Sequence, residues 1–278
     1  MKKNLAAAAL TLSTLFAATA QAGDVVRMAT EGAYPPWNAV NSAGELEGFE
    51  IDLYKDLCER AKLECTIEQT AWDGIIPSLK SKKFDVIIAG MSITDKRKKQ
   101  ITFSRSYASS PAVFVVNKDS SLADFKVEAD KIALDSLDAK EQAGLDAIKK
   151  ALDGKTIGVQ KGTIHLNFLK EYLKDVVEIR QYATQEQLDL DLQSGRVDVA
   201  FAAMSYWHPL FQKKEGENFK AIGPGFDEGP FGEGVGLGLR KADQELADKF
   251  SKAINEAIAD GTTSKLAVKW FGFDASTK

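Results

Sequence analysis

The 278-residue chain has little cysteine, little histidine and no excess of positive charge. Two cysteines exclude a multi-disulfide mini-protein and a cysteine-rich metal domain. His165 and His208 are the only histidines, and neither an H-E-x-x-H zinc segment nor a G-x-S-x-G elbow occurs. No metal and no cofactor is expected, although the plentiful acids leave carboxylate-based catalysis open. Lys and Arg number 36 against 40 Asp and Glu, a formal net charge of −4, which argues against a nucleic-acid partner. Past the N-terminal segment no apolar run reaches the roughly 20 residues of a membrane span. What is present is a globular balance, 44% hydrophobic and 27% charged. That supplies a sizeable core and excludes a disordered or collagen-like chain. The length suits one large domain or two medium ones.

Residues 1–22 read as a secretory signal. Lys2 and Lys3 open it, an Ala- and Leu-rich stretch follows, and Ala20-Gln21-Ala22 is a small-x-small cleavage site. The expected mature protein starts near Gly23, after cleavage behind Ala22, and is soluble and exported. Export changes the reading of Cys58 and Cys65. In an oxidising compartment, two cysteines at this spacing most simply form one disulfide. They are expected to staple the end of a helix to the start of a strand.

Strands and helices alternate along the rest. Residues 25–29 read as a strand, 49–61 as a helix through Phe49, Leu53, Leu57 and Ala61, and 65–69 as a strand. A short helix over 72–80 and a buried strand over 86–89 follow, and Thr94-Asp95 looks like a helix N-cap. The pattern returns with strands at 156–159, 176–179 and 197–201 and helices at 162–173 and 185–194. The polar stretch 118–154 reads as a surface insertion with helical composition over 135–152. Residues 243–271 hold a helix, a Gly261 cap and a shorter helix. Two α/β units in one exported chain suggest two lobes and a cleft, with ligand at strand ends.

Four segments at such ends bear chemistry. Thr30-Glu31-Gly32-Ala33-Tyr34-Pro35-Pro36-Trp37 puts an acid and two aromatics on one loop. That suits a cation, with Glu31 pairing its charge and a ring covering its stem; it equally suits a Pro-rich loop folded onto the core. In Gly90-Met91-Ser92-Ile93-Thr94-Asp95-Lys96-Arg97, Arg97 is placed to grip a carboxylate with help from Ser92, unless it belongs to a solvated basic face. Gln160-Lys161-Gly162-Thr163-Ile164-His165 forms a glycine turn into a helix whose N–H groups suit an anion, and it is not a Walker motif. In 231–239 the glycines at 232, 234, 236 and 238 alternate with larger residues, as in a strand crossing between lobes with close backbone approach.

Together with Gly48-Phe49-Glu50-Ile51-Asp52-Leu53, Trp72-Asp73-Gly74-Ile75-Ile76-Pro77-Ser78-Leu79, Ser194-Gly195-Arg196-Val197-Asp198 and 234–240, these motifs make the mature chain resemble a family. It is similar to the bacterial periplasmic solute-binding proteins that feed ABC importers of polar amino acids. The branch is the lysine/arginine/ornithine and histidine one, and the opine (nopaline and octopine) binders are the nearest likeness. The resemblance implies an α/β type II fold of two lobes joined by a two-segment hinge. Lobe one would be 23–110 with 232–278, and lobe two 111–231. It also places a disulfide of the Cys58–Cys65 kind in lobe one, and implies a monomer that hands a basic amino acid or opine to inner-membrane permease subunits. By motif, Glu31 would meet the distal cation, and Tyr34 and Trp72 would sandwich the ligand stem. Arg97, Ser92 and Thr163 would take the α-carboxylate, with Gly90 offering its carbonyl. Met91, Gln160, Gly162 and His165 complete the expected ligand set with Ala203. At Ala203 the branch usually has an Asp for the α-ammonium; its absence here, with Ser92 in place of glycine, points to an octopine-like ligand. The competing expectation is an exported enzyme on the same fold, dehydratase-like, using cleft carboxylates.

Overall fold

The computed structural model describes residues 25–278. The expected signal segment and its cleavage after Ala22 lie outside the described residues.

Two separate sheets organise the chain. The first runs Cys65–Gln69, Val26–Thr30, Val86–Ile87, Gly238–Leu239, Thr102–Phe103. Its first three strands are parallel, and Gly238–Leu239 returns antiparallel from the far end of the sequence. The second runs Glu178–Tyr182, Thr156–Gln160, Val199–Ala203, Ala112–Asn117, Phe219–Asp227, Lys131–Ala133. Its parallel trio around Thr156–Gln160 repeats the first sheet's plan. Each sheet buries its own apolar cluster. Helix Phe49–Ala61 lays Phe49, Leu53 and Leu57 on Met28 and Val86, with Phe250 and Ile254 of helix Gln244–Ala259 in the same cluster. The second cluster gathers Phe114, Phe168, Phe201 and Phe226. Each sheet thus carries apolar clusters of its own, which divides the chain into two lobes.

The chain crosses between the sheets twice, through residues 104–111 and 232–237. These segments are bonded to each other: Val235 N–H donates to the Ala108 carbonyl (2.7 Å) and Tyr107 N–H to the Val235 carbonyl (2.9 Å). The expected glycine-lined strand over 231–239 is shorter here, because only Gly238 and Leu239 pair in the sheet. Gly232 and Gly234 take φ of 77° and 93°, which side chains rarely adopt. A Cβ at Gly232 would lie 2.0 Å from the Ile93 carbonyl oxygen. The glycines do serve close backbone approach, but through an irregular crossing instead of one face of a strand.

The helix Phe49–Ala61 and strand Cys65–Gln69 fall where the periodicity placed them. The polar stretch 118–154 is not a surface insertion. Its Lys131–Ala133 forms the edge strand of the second sheet, and Leu145, Ile148 and Leu152 enter the second core. Charge on the exposed face of helix Ala139–Ala151 hid that apolar stripe.

Cys58 and Cys65 are disulfide-bonded, joining the last turn of the helix to the first residue of the strand. The native protein is therefore expected to show no alkylatable thiol. The Cys58→Ala/Cys65→Ala variant should lose about 2–3 kcal/mol in a urea titration, the loop-entropy value for so short a ring. Two reactive thiols in native, non-reduced protein would refute the pairing.

Candidate functional site

The loop after Val26–Thr30 carries Glu31 and Tyr34, and it is tied down from behind. Gly32 N–H donates to Asn38 Oδ1 (2.7 Å), and Asn38 Nδ2 donates to Glu50 Oε2 (2.7 Å). Glu50 Oε1 accepts the Gly90 N–H (2.7 Å) and the Tyr107 hydroxyl. One fully buried carboxyl thus fixes the Glu31 loop and the strand end at Gly90 together. Burial raises the Glu50 pKa, against the pull of those bonds.

Beyond Gly90 the chain enters the short helix Asp95–Lys98, capped by Thr94, whose Oγ1 accepts the Arg97 N–H (3.3 Å). Lys96 points outward, whereas Arg97 is only 9% exposed. The solvated-face reading of Arg97 therefore fails. Its Nη1 donates to the Ser92 carbonyl (2.9 Å) and Nη2 reaches the Gly162 carbonyl of the other lobe (3.3 Å). The Trp72 ring lies 5.3 Å from the guanidinium carbon, a cation–π contact. Burial alone lowers the Arg97 pKa to about 10, and no acid pairs with it among the described residues.

The second lobe supplies the facing wall. Thr163 caps helix Ile164–Phe168; its hydroxyl accepts from Leu166 N–H (3.3 Å) and donates to the Gln160 carbonyl (2.7 Å). Gly162, at φ 72°, makes the turn and leaves room for Trp72. His165 packs edge-on against Phe201, and burial with the nearby Arg97 charge lowers its pKa to about 3, so it is neutral. Gln160 Nε2 crosses the cleft to Glu31 Oε1 (2.6 Å) and also meets the Ala183 carbonyl (3.2 Å). Glu31 has no cation among the described residues. Burial, offset by the Gln160 bond and reinforced by the Glu50 and Glu186 charges, raises its pKa to about 7. Tyr34 stacks on Tyr206 with centroids 4.9 Å apart, and its hydroxyl meets the Ala203 backbone. One face of the Tyr34 ring is thus taken by the protein itself.

A single cavity between the lobes gathers Glu31, Tyr34, Trp72, Gly90, Ser92, Arg97, Gln160, Thr163, His165 and Ala203. Gly162 adjoins it through the carbonyl that Arg97 engages. Met91 does not belong with them. Its side chain is fully buried in the first lobe, and its carbonyl accepts the Gly236 N–H (3.1 Å). Trp37, Ser110, Ile164, Gln185 and Val235 also line the cavity, and the motif reading did not name them as contacts. The Trp37 indole bridges the lobes by donating to Ser205 Oγ (3.0 Å).

Two lobes hinged by paired crossings, with a buried cation and a buried anion exposed to one cavity, define a two-lobed solute-binding protein of the type II fold. Residues 26–273 match the model of the bacterial extracellular solute-binding proteins, family 3, and the chain belongs to that family. An octopine-binding periplasmic protein of Rhizobium meliloti is 39% identical over 269 residues, covering 90% of this chain and 91% of that one. An L-arginine-binding protein of Pseudomonas aeruginosa is 35% identical over 277 residues, covering 99% and 98%. The solved structure of a periplasmic His/Glu/Gln/Arg/opine family-binding protein from Silicibacter pomeroyi, in complex with lysine, superposes with TM-score 0.72. It is 34% identical and covers 91% of this chain and 100% of that one. The protein is a binding protein, not an enzyme. No helix among the described residues is long and apolar enough to cross a membrane.

Proposed function

We propose that this protein captures an arginine-type solute, L-arginine or an arginine-derived opine, in the periplasm and delivers it as a monomer to the permease of an ABC importer. The observation behind this reading is the pair Arg97 and Glu31. Both are buried in one cavity, and neither meets an opposite charge among the described residues. Burying an unpaired charge is costly. A ligand with a carboxylate at one end and a cation at the other removes both penalties when the lobes close on it. The closed arrangement is then favoured by the ligand and not by the protein alone, as differential affinity requires. Arg97 takes the α-carboxylate with Ser92 and the Thr163 turn, Glu31 takes the distal cation, and Trp72 and the free face of Tyr34 flank the stem.

Glu31→Gln tests this. A bound cation holds Glu31 ionised, whereas the raised value near 7 means the site without one is protonated below that pH. Binding below about pH 7 thus releases a proton, and affinity for L-arginine should rise with pH up to that value and then level off. In Glu31→Gln the rise should flatten, and L-arginine should weaken at least about tenfold more than L-glutamine. Calorimetry from about pH 5 to about 8 reads both. Equal weakening of the two ligands would show that Glu31 only supports its loop.

A further inference from the structure

Gln185 opens helix Gln185–Gln193, just after its Thr184 cap, and is only 1% exposed, yet it lines the cavity. Its Nε2 donates to Asp189 Oδ1, four residues on (3.1 Å), and the other oxygen of Asp189 accepts the Tyr206 hydroxyl. Tyr206 is in turn the ring stacked on Tyr34. Above the value near 7 to which burial raises Asp189, its carboxylate is ionised and only accepts, so the amide presents its N–H₂ to Asp189 and turns Oε1 away. No donor meets that oxygen among the described residues, and Gln185 is one of the residues that line the cavity. Gln185 stands at the Glu31 end: Gln160 bridges Glu31 Oε1 to the Ala183 carbonyl, two residues before it.

We infer that Gln185 is a specificity-determining residue whose oriented amide oxygen accepts an N–H of the ligand's guanidinium beside Glu31. This rests on the arginine-type reading above and deepens it. A guanidinium presents five N–H donors in a planar fork, more than one carboxylate already engaged by Gln160 can accept. An ammonium is a compact point charge that Glu31 alone can meet. A fixed neutral acceptor next to the acid therefore favours the fork over the point charge, because a site built to accept a given N–H discriminates against a ligand that does not offer it there. Asp189 and Tyr206 act through Gln185 by fixing which atom of its amide faces the ligand.

The test titrates L-arginine, octopine and L-lysine into wild type, Gln185→Met and Gln185→Asn at about pH 8, above the value near 7 to which burial raises Asp189. Gln185→Met keeps the length and removes the acceptor. Gln185→Asn keeps an amide but withdraws it by one methylene, and it serves if the first variant does not fold. Either should weaken the tighter-binding guanidinium ligand at least about tenfold and L-lysine by less than about threefold. Asp189→Asn should narrow the same ratio, and its thermal midpoint reports any purely structural damage. If wild type binds a guanidinium ligand and both Gln185 variants keep its ratio to L-lysine within about twofold, Gln185 does not read the head group. If wild type binds none of the three, the arginine-type reading fails, and this inference with it.

Discussion

Arg97→Ala should nearly abolish binding of any α-carboxylate ligand. Truncating one partner of a desolvated, bidentate pair typically costs about 2–5 kcal/mol, or roughly 30- to 5000-fold in affinity. The guanidinium is held before the ligand arrives. The Ser92 carbonyl at 2.9 Å and the Trp72 ring at 5.3 Å, both in its own lobe, fix its plane, so less freedom remains to be lost on binding. Arg97→Lys should recover only part of the loss, since an ammonium keeps the charge and forfeits the fork. Folding should respond differently from binding. Arg97 has no acidic partner among the described residues, and burial already lowers its pKa to about 10, so removing it relieves a desolvation penalty. Unliganded Arg97→Ala should melt no lower than wild type while losing the ligand-induced rise in midpoint. Calorimetry that finds less than about a threefold loss with the best ligand would make Arg97 a structural residue.

The caps and strand ends around the cavity could be read from the sequence because backbone rules put them there, whereas Trp72 and Ala203 were named only through the family resemblance. Thr94 and Thr163 are small hydroxyl residues before helical turns, and both prove to be caps that accept a backbone N–H. Glu31 and Gly90 follow parallel strands, where open sheets place ligands. Met91 was misplaced for a local reason. Next to Gly90 and Ser92, which face the cavity, its side chain turns the other way into the first core. The motif ran through it, but the alternation of side chains did not.

What escaped the sequence depends on partners far along the chain. Glu50 looks like an acid in the first turn of an amphipathic helix, where a solvated carboxylate is ordinary. Its burial, and its bonds to Asn38, Gly90 and Tyr107, arise only when three segments meet. Gln185 opens the helix read over 185–194, and nothing near it in sequence names Tyr206, whose hydroxyl secures Asp189. The strands Ala112–Asn117 and Phe219–Asp227 were missed although the first is apolar throughout its middle. Ala112–Asn117 runs antiparallel to both its neighbours, Val199–Ala203 and Phe219–Asp227, so the β-α-β rhythm gave no place for it, and Phe219–Asp227 pairs on its far side in parallel with Lys131–Ala133, inside the stretch read as an insertion.

Ala203→Asp should reverse the ranking of ligands. Ala203 ends the strand Val199–Ala203, beside the Tyr34 hydroxyl and on the cavity wall, where the resemblance led us to expect an acid for an α-ammonium. Ala offers no charge there. A primary ammonium buried against it must find neutral acceptors or remain poorly solvated. An opine bears its α-nitrogen as a secondary amine next to a second carboxylate, so that charge is balanced within the ligand. The same carboxylate would meet repulsion from an Asp, and like-charge juxtaposition in a desolvated interface costs several kcal/mol. Wild type should therefore bind octopine at least about tenfold more tightly than L-arginine. Ala203→Asp should weaken octopine by about a hundredfold and strengthen L-arginine, the new carboxylate pairing with its ammonium. The guanidinium end is common to both ligands, so Glu31 and Gln185 cancel from the comparison and the ratio reads position 203 alone. Ser92, larger than a glycine at the cavity wall, should place nopaline, with its bulkier substituent, behind octopine. Titrating L-arginine, octopine and nopaline into both proteins decides the matter. Wild type binding L-arginine at least about tenfold tighter than either opine would make the protein a basic-amino-acid receptor whose amine site works without a carboxylate at position 203.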